Sequence, residues 1–318
     1  MDRPGAVAAL RAALLAFAQQ QLPEALPWTV ALSGGPDSLA LTAVAAGMRP
    51  TTALIVDHGL QAGSAQVAEN ARRQALDLGC VDAQVIPVQV GSVGGPEAAA
   101  RTARYAALAA ARGQRPVLLG HTLDDQAETV LLGLGRGSGP RSMAGMRDCD
   151  PPWCRPLLGV RRELTVAACA ELGVTPWRDP HNHDPRFTRV RLRAEVLPLL
   201  EDVLGGGVTQ ALARTATALR ENTELIDALA DQALPDATVD PDTATLAALP
   251  GPVRRAAIRR WLLAGGGRGL TDLQIRAVDR LVTAWTGQGG VAIGSDLRGQ
   301  RLFAERSAGL LRLRREPV

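Results

Sequence analysis

The chain contains no lysine, so all 35 basic residues among its 318 positions are arginines. Covalent catalysis by a protein lysine is therefore excluded, and every contact with a phosphate must come from arginine, a backbone N–H group or a metal ion. Cysteine is scarce too, and the four cysteines form no Cys-x-x-Cys pair, which favours ordinary reduced thiols over a zinc site. Long apolar runs and the pattern of a secretory signal are also missing, so the sequence predicts a cytoplasmic protein with no membrane segment.

The segment SGGPDS at 33–38 follows an apolar, strand-like run and precedes a helical pattern that starts at Leu39. Its glycines allow a tight turn and a close approach to a ligand, and the N–H groups at the start of the helix bind anions. Because no Gly-Lys-Ser/Thr sequence is present, the segment is not the phosphate loop of kinase-like NTPases. It resembles the loop of the N-type ATP pyrophosphatases, which cleave ATP between its α and β phosphates. The alternative is a simple Gly-Pro turn without a ligand.

This loop predicts contacts with ATP and with a magnesium ion. A carboxylate beside phosphates needs a counter-charge, so Asp37 is predicted to hold Mg²⁺ against phosphate oxygens, unless it only interacts with the helix dipole. Asp57 and His58 end the second strand-like run and are predicted to line the adenosine side or to hold a catalytic water, with a solvated turn as the alternative. The complete set predicted for the nucleotide is Ser33, Gly34, Gly35, Pro36, Asp37, Ser38, Asp57 and His58.

Helical patterns alternate with strand-like runs at 29–32, 53–56, 83–88 and 116–119. This alternation predicts an α/β fold with a doubly wound parallel sheet, of the adenine nucleotide alpha hydrolase-like type. Ligands of such sheets bind beyond the carboxyl ends of the strands, where the SGGPDS loop, Asp57 with His58, and Gly120 with His121 are all expected to converge.

A change of pattern after the triple glycine at 205–207 indicates a second domain. Helical patterns near 253–263 and 271–286, followed by three short strands, predict a smaller C-terminal α+β domain. We therefore predict a catalytic domain over 1–204, a helical linker over 205–241 and a C-terminal domain over 242–318.

Two helical patterns carry further candidates. Arg101 and Arg104 fall on one face of the pattern at 97–111, beside Glu97 and Tyr105, where a guanidinium would meet developing phosphate charge or simply join a surface salt bridge. His121, Asp125 and Glu128 share one face of the pattern after the fourth strand. Two acids there suit a cationic substrate or a metal ion, and a solvated acidic helix start is the alternative.

Seven segments, in this order, resemble those of the tRNA(Ile)-lysidine synthetases. They are SGGPDS (33–38), VDHGLQ (56–61), AARTARYAAL (99–108), GHTLDDQAETVLLGLGRGSG (120–139), MAGM (143–146), RPLL (155–158) and DPHNHDPRFTRVRLRAEVLPLL (179–200). The first segment is shared with other enzymes that have this ATP loop. The segment from 120 and the FTRVRLR run are much more specific to this family.

The resemblance implies a two-step ligation. ATP adenylates the ring carbonyl oxygen of the wobble cytidine in tRNA(Ile) with a CAU anticodon, and free L-lysine then displaces AMP to give lysidine. It implies that Asp125 and Glu128 bind the ammonium groups of lysine and that Arg101 contacts the phosphate or the adenylate. It also implies that the C-terminal domain over 242–318 recognises the tRNA. Either Asp37 or His121 is the expected base for the lysine amine, so the predicted catalytic residues are Asp37, Arg101 and His121.

Arginine-rich stretches are expected to follow the phosphates of the RNA, although each arginine is equally compatible with an ordinary helix surface. They comprise Arg186, Arg189, Arg191 and Arg193, with Arg254, Arg255, Arg259 and Arg260 in the C-terminal domain. The target base must be splayed out of the anticodon loop to reach the site.

Three other functions remain open. A tRNA 2-thiolase has the same ATP loop but usually a Cys-x-x-Cys pair, which this sequence lacks. An amide-forming ligase needs an ammonia source and has no use for the FTRVRLR run. A non-catalytic, ATP-dependent RNA-binding module would avoid acids that face the crevice. The oligomeric state is not readable, and a homodimer is left open.

Overall fold

The computed structural model describes residues 5–23, 26–61, 63–91, 95–137, 139–297 and 299–318, apart from the side chains of Pro96, Glu97 and His183. The side chain of Glu97, which the sequence places beside Arg101 and Arg104, therefore lies outside the described residues. The chain forms two compact units. The first runs up to Leu131 and includes Met146–Ala213, and the second contains Leu132–Gly145 and Arg214–Val318. The predicted domain boundaries stay a prediction.

The elements follow the alternation expected from the sequence. Up to the end of the parallel strands they are α1 (Ala6–Gln21), β1 (Trp28–Ala31), α2 (Pro36–Ala46), β2 (Thr51–Asp57), α3 (Ser64–Asp77), β3 (Asp82–Pro87), α4 (Pro96–Ala111), β4 (Val117–Leu119) and α5 (Leu123–Gly135). Next come α6 (Pro140–Met143), β5 (Cys149–Asp150), β6 (Trp153–Cys154), α7 (Arg162–Glu171), a 3-10 helix (Pro180–His183), α8 (Thr188–Arg191), a π-helix (Leu192–Val196), α9 (Leu197–Val203) and α10 (Val208–Ala233). The remaining elements are α11 (Thr243–Ala248), α12 (Gly251–Ala264), β7 (Gly267–Arg268), α13 (Asp272–Thr283), β8 (Val291–Ser295), β9 (Gln300–Ser307) and β10 (Leu310–Pro317).

The first unit is built on a sheet with the strand order β3-β2-β1-β4-β6-β5. Strands β3, β2, β1, β4 and β6 are parallel, and only β5 is antiparallel to its neighbour. The chain moves outward from β1 through β2 to β3 and then crosses back to β4 on the other side of β1. The loops after β1 and β4 therefore flank the point where the strand order reverses, which is where such sheets bind ligands.

Both faces of this sheet are covered, because residues of a strand alternate between them. Val30 of β1 packs with Leu14 of α1 and Leu39 of α2 on one face. On the other face its neighbour Ala31 packs with Leu108 of α4. Helices on both faces of a parallel sheet confirm the predicted doubly wound α/β fold.

The hairpin of β5 and β6 is the part of this sheet that the sequence did not predict. Each strand has two residues, which is too short for a period-two pattern. The hairpin belongs to the sheet only because Trp153 and Cys154 pair with Val117 and Leu118 of β4.

The second unit contains an antiparallel sheet in the order β10-β9-β8-β7. Its core joins Trp261 of α12 and Leu281 of α13 to Leu302 of β9 and Leu311 of β10, all fully or almost fully buried. This architecture confirms the expected smaller α+β domain. Across both units, no helix among the described residues is long and apolar enough to cross a membrane.

Candidate functional site

The loop between β1 and α2 is held in shape by its two serines. The Ser33 N–H donates to Ser38 Oγ at 3.1 Å, and the Ser38 hydroxyl donates to the Gly35 carbonyl at 3.1 Å. Gly34 between them has φ +83°, a left-handed conformation that a side chain would strain. Helix α2 begins directly afterwards, with Pro36 in its first turn. The loop thus presents the N-terminus of an 11-residue helix as an anion site.

The loop after β4 touches this first loop at Gly120. A Cβ atom at Gly120 would lie 2.9 Å from both Cα and N of Ser38, so only glycine allows the two backbones to approach this closely. That approach brings the start of α5, with its acidic residues, next to the start of α2. The sequence had placed both segments at strand ends, and the register of β1 with β4 confirms that they share one edge.

Three carboxylates meet at this edge around the side chain of Arg162. The Arg162 guanidinium lies 3.1 Å from Asp37, 2.6 Å from Asp125 and 3.5 Å from Glu128. Thr165, one turn further along α7, donates a short hydrogen bond to Asp37. Arg162 was missed in the sequence because it lies 125 residues from Asp37 and belongs to none of the predicted motifs.

Two of the arginines predicted to bind RNA also reach these acids. Arg193 donates from Nε to Glu128 at 2.8 Å, and Arg189 lies 3.5 Å from the other oxygen of Glu128. Glu128 itself has no exposed surface. By contrast, the exposed Arg186 and Arg191 pair locally with Asp184 and Glu195. An RNA contact of all four arginines stays a prediction.

Burial and the neighbouring arginine shift the pKa values of these acids in opposite directions. Burial raises the pKa of Asp37 above its usual range, although Arg162 and Thr165 work against that rise. Burial acts in the same sense on Asp125, but Arg162 and the N–H of Thr122, which donates to Asp125 at 2.8 Å, outweigh it and lower the pKa. Asp125 is therefore ionised at neutral pH, whereas Asp37 holds a proton more readily than a free aspartate.

His121 lies where β4 joins α5 and is an uncharged group. Burial, reinforced by Arg104, Arg155 and Arg101 against the pull of Asp125, lowers its pKa to about 3. Its Nδ1 is buried without a hydrogen-bond partner among the described residues. A neutral imidazole with such low basicity is a poor proton acceptor at neutral pH.

A cavity of about 480 Å³ opens beside the first loop. Its walls include Ser33, Asp57, His58, Arg104, Trp177 and His181. The predicted adenosine-side residues Asp57 and His58 are therefore brought to the loop. The segment after α7 was not expected at this cavity. Trp177 in that segment is held in place by its backbone N–H, which donates to the Gly34 carbonyl at 2.9 Å. The rest of the wall is largely apolar and includes Leu32, Leu54, Ile55 and Leu108. Apolar walls with a few polar groups are typical of a nucleoside pocket.

The two candidate arginines of α4 differ in their relation to the cavity. Arg104 lines it, and no carboxylate in the described part of the chain pairs with its guanidinium, whose pKa is lowered by burial. Burial, together with Arg104, also lowers the pKa of His58. Arg101 is exposed instead, donates to the Tyr105 hydroxyl at 3.2 Å and does not line the cavity. Arg104 is thus a buried cation for which the described residues provide no carboxylate partner.

The residues present fit magnesium shared with phosphates rather than a protein metal cage. Over the described ranges, no group of three or more His, Cys, Asp or Glu side chains is placed to hold a metal ion. Mg²⁺ usually takes one or two carboxylates, keeps several waters and binds substrate phosphates. Asp37, in the first turn of α2, offers such a single carboxylate beside the anion site.

Comparison with known proteins identifies the family and the fold. Residues 10–200 match a family model described as a PP-loop domain, and residues 242–311 match one described as a TilS substrate binding domain. The tRNA(Ile)-lysidine synthase of Mycobacterium tuberculosis is 71% identical over 324 residues, covering 100% of both chains. That of Nocardia farcinica is 60% identical and covers 96% of this chain and 98% of its own. Among solved structures, the U34-tRNA thiolase NcsA from Methanococcus maripaludis has the same fold at 16% identity, with a TM-score of 0.57 over 68% of this chain and 79% of that one.

Proposed function

The chain belongs to the tRNA(Ile)-lysidine synthase family, and from that premise we propose that it ligates free L-lysine to the wobble cytidine of tRNA(Ile) with a CAU anticodon. ATP first adenylates the ring carbonyl oxygen of the cytosine and releases pyrophosphate. The amine of lysine then attacks the ring carbon that bears this oxygen and expels AMP.

The observation that carries the lysine assignment is the convergence of Asp37, Asp125 and Glu128 beside the ATP loop. Carboxylates this close repel one another unless cations lie between them, and in the structure Arg162, Arg189 and Arg193 are those cations. An ammonium group satisfies such acids.

ATP is expected to span the first loop. Its adenosine fits the cavity next to His58 and Trp177, and its phosphates fit the N-terminus of α2. Arg104, which lines the same cavity as Ser33 and has no carboxylate partner among the described residues, is then available to meet phosphate charge. When bound, Mg²⁺ would neutralise phosphate charge at Asp37.

The attacking amine must lose a proton, because lysine has an ordinary pKa of about 10.4 and only about one molecule in a thousand is neutral at pH 7. Of the two candidate bases, His121 is the weaker, since its pKa lies at about 3. The pKa of Asp37 is raised by burial while no metal ion is bound, and Mg²⁺ bound at this carboxylate would oppose that rise.

The direct test measures incorporation of radiolabelled lysine into tRNA(Ile) transcripts with ATP and Mg²⁺. We expect label in acid-precipitable RNA together with AMP and pyrophosphate. Asp125→Ala should lower kcat/KM for lysine by about 100-fold, because losing a buried charge contact costs about 2–5 kcal/mol. Glu163→Ala is the matched control, since that side chain is 85% exposed and faces none of the three acids. ATP cleavage that transfers sulfur or ammonia instead of lysine would refute lysidine synthesis while leaving the ATP site intact.

A further inference from the structure

Arg162 contacts more carboxylates than any other side chain of the proposed substrate site. Its guanidinium reaches Asp37, which is expected to meet Mg²⁺, and also Asp125 and Glu128, which are expected to bind lysine. With Arg189 and Arg193 nearby, three acids face three guanidinium groups. A cluster without net charge offers little attraction to an incoming cation, unless one of the resident cations leaves.

We propose that Arg162 is a resident counter-ion that fills the place of the incoming cations and is displaced when Mg²⁺ and the lysine ammonium bind. The inference rests on the proposed function, because it names the residue with which the substrate exchanges. Arg162 holds the three acids in position while the site is empty. Its departure restores the negative charge that the substrate needs.

Arg162 can leave without disturbing the backbone. It is the first residue of α7, and its N–H donates to Asp124 at 2.8 Å, so the helix start is fixed independently of the guanidinium. Its side chain retains 19% exposure, so it already borders solvent. A change of rotamer is enough, and side chains near the surface make such changes rapidly. Arg193, by comparison, reaches Asp125 and Glu128, and no contact with Asp37 is found for it among the described residues.

The chemistry of arginine suits this part. The three acids outweigh the effect of burial and raise the pKa of Arg162 further, so the guanidinium stays protonated. A protonated guanidinium cannot attack an adenylated base, whereas a lysine side chain in the same place would carry the nucleophile of the reaction. The chain contains no lysine at any position.

Displacement makes a prediction whose sign is diagnostic. Two cations that bind next to each other repel, so separate sites would let Mg²⁺ weaken the binding of lysine. If both ligands displace the same guanidinium, the ligand that binds first removes it, so the second ligand no longer has to. Each ligand then raises the binding affinity of the other by the same factor. Coupling between two sites is typically about 5- to 150-fold.

The test is calorimetric titration of wild-type protein with lysine, at saturating non-hydrolysable ATP analogue, with and without Mg²⁺. We expect Mg²⁺ to lower the Kd for lysine by roughly tenfold. In Arg162→Gln, lysine should bind more tightly than in the wild type without Mg²⁺, and addition of Mg²⁺ should no longer improve its affinity. Arg161→Gln is the matched control, because Arg161 pairs with Asp124 and Glu163 and should show wild-type coupling.

Weaker lysine binding by wild type in the presence of Mg²⁺, or by a folded Arg162→Gln, would overturn the proposal and make Arg162 a fixed positioning residue. Should Arg162→Gln fail to fold, as judged by circular dichroism, the sign of the wild-type coupling decides alone. Absence of lysine binding to wild type under every condition would instead refute the proposed function, and the displacement with it.

Discussion

At the scale of single residues, Gly120 shows how little space separates the two loops of the site. Its missing side chain lets the end of β4 reach the first turn of α2, where a Cβ would stand 2.9 Å from the backbone of Ser38. The contact is with backbone atoms, so no side-chain rotation can relieve it.

We therefore expect Gly120→Ala to push the two loops apart. Overpacking of this kind costs about 1–3 kcal/mol, and because the displaced atoms belong to the ATP loop, ATP affinity should fall by about 10-fold or more. Fluorescence titration with an ATP analogue and thermal melting measure the two effects. Gly159→Ala is the control, since a Cβ there meets nothing within 4 Å. Unchanged affinity and stability in Gly120→Ala would contradict the close approach.

His121 predicts a specific dependence of stability on pH. Its pKa is lowered to about 3, mainly by burial, from an ordinary value of 6.5. The unfolded chain therefore takes up a proton below pH 6.5 while the folded protein does not. The stability contributed by the neutral imidazole is present above pH 6.5 and is lost as the pH falls toward 3.

Replacing His121 by Gln should reduce this dependence. Urea denaturation at pH 7.5 and pH 5 should show a smaller loss of unfolding free energy in His121→Gln than in the wild type. The ligation rate of the wild type should also lack an inflection caused by His121 between pH 5 and 8. Equal losses in both proteins would mean that His121 is not buried as a neutral group.

At the scale of elements, the start of α10 depends on a carboxylate from the preceding helix. Glu201 of α9 accepts hydrogen bonds from the Thr209 hydroxyl and from the N–H groups of Thr209 and Val208, which lower its pKa to about 2. These N–H groups belong to the first turn of α10. N–H groups in the first turn of a helix have no carbonyl partner within that helix. Glu201 thus acts as a helix cap from outside the helix.

Glu201→Ala should lower the free energy of unfolding by about 1 kcal/mol at pH 7, the usual size of a lost cap. Because the folded pKa is depressed, this contribution is present above about pH 4.5 and disappears as the pH falls through about 2. Chemical denaturation across this range measures it. Glu221→Ala, an exposed substitution on the same helix, should have little effect, and an equal loss in both variants would argue against capping.

At the scale of the whole molecule, the chain has separate cores in its two units. Trp261 fills the core of the second unit and is 2% exposed, while the residues of the proposed ATP and lysine sites belong to the first unit. Each core contains its own buried apolar cluster, which is what an independently stable unit requires.

Trp261→Ala should therefore destabilise the second unit selectively. Loss of a buried tryptophan costs about 3–5 kcal/mol. We expect a lower melting transition for this unit and faster proteolysis after residue 213, with lysine and ATP-analogue binding retained. Simultaneous loss of ATP-analogue binding would show that the two units unfold together.

Much of the fold could be predicted because local sequence patterns indicate its helices and strands. The strand-like runs and helical periods before β4 predicted the alternation, and the glycines and helix start at 33–38 predicted an anion site. The resemblance to the N-type ATP pyrophosphatases then indicated that the anion is ATP. The same patterns placed Asp125 and Glu128 on one helix face. Periodicity of this kind depends only on neighbours in the chain, so no knowledge of packing is needed.

The tertiary structure decided which charges meet. Arg101 and Arg104 are equivalent by helical spacing, yet only Arg104 lines the cavity, because the position of α4 on the sheet turns one side chain inward. Arg162 and Asp37 lie 125 residues apart in sequence, so no local pattern indicates that they pair. The sequence by itself determined the chemical groups and the elements that carry them. Packing around the edge of the sheet determined which of these groups share a site, since contacts between distant segments arise only from the folded arrangement.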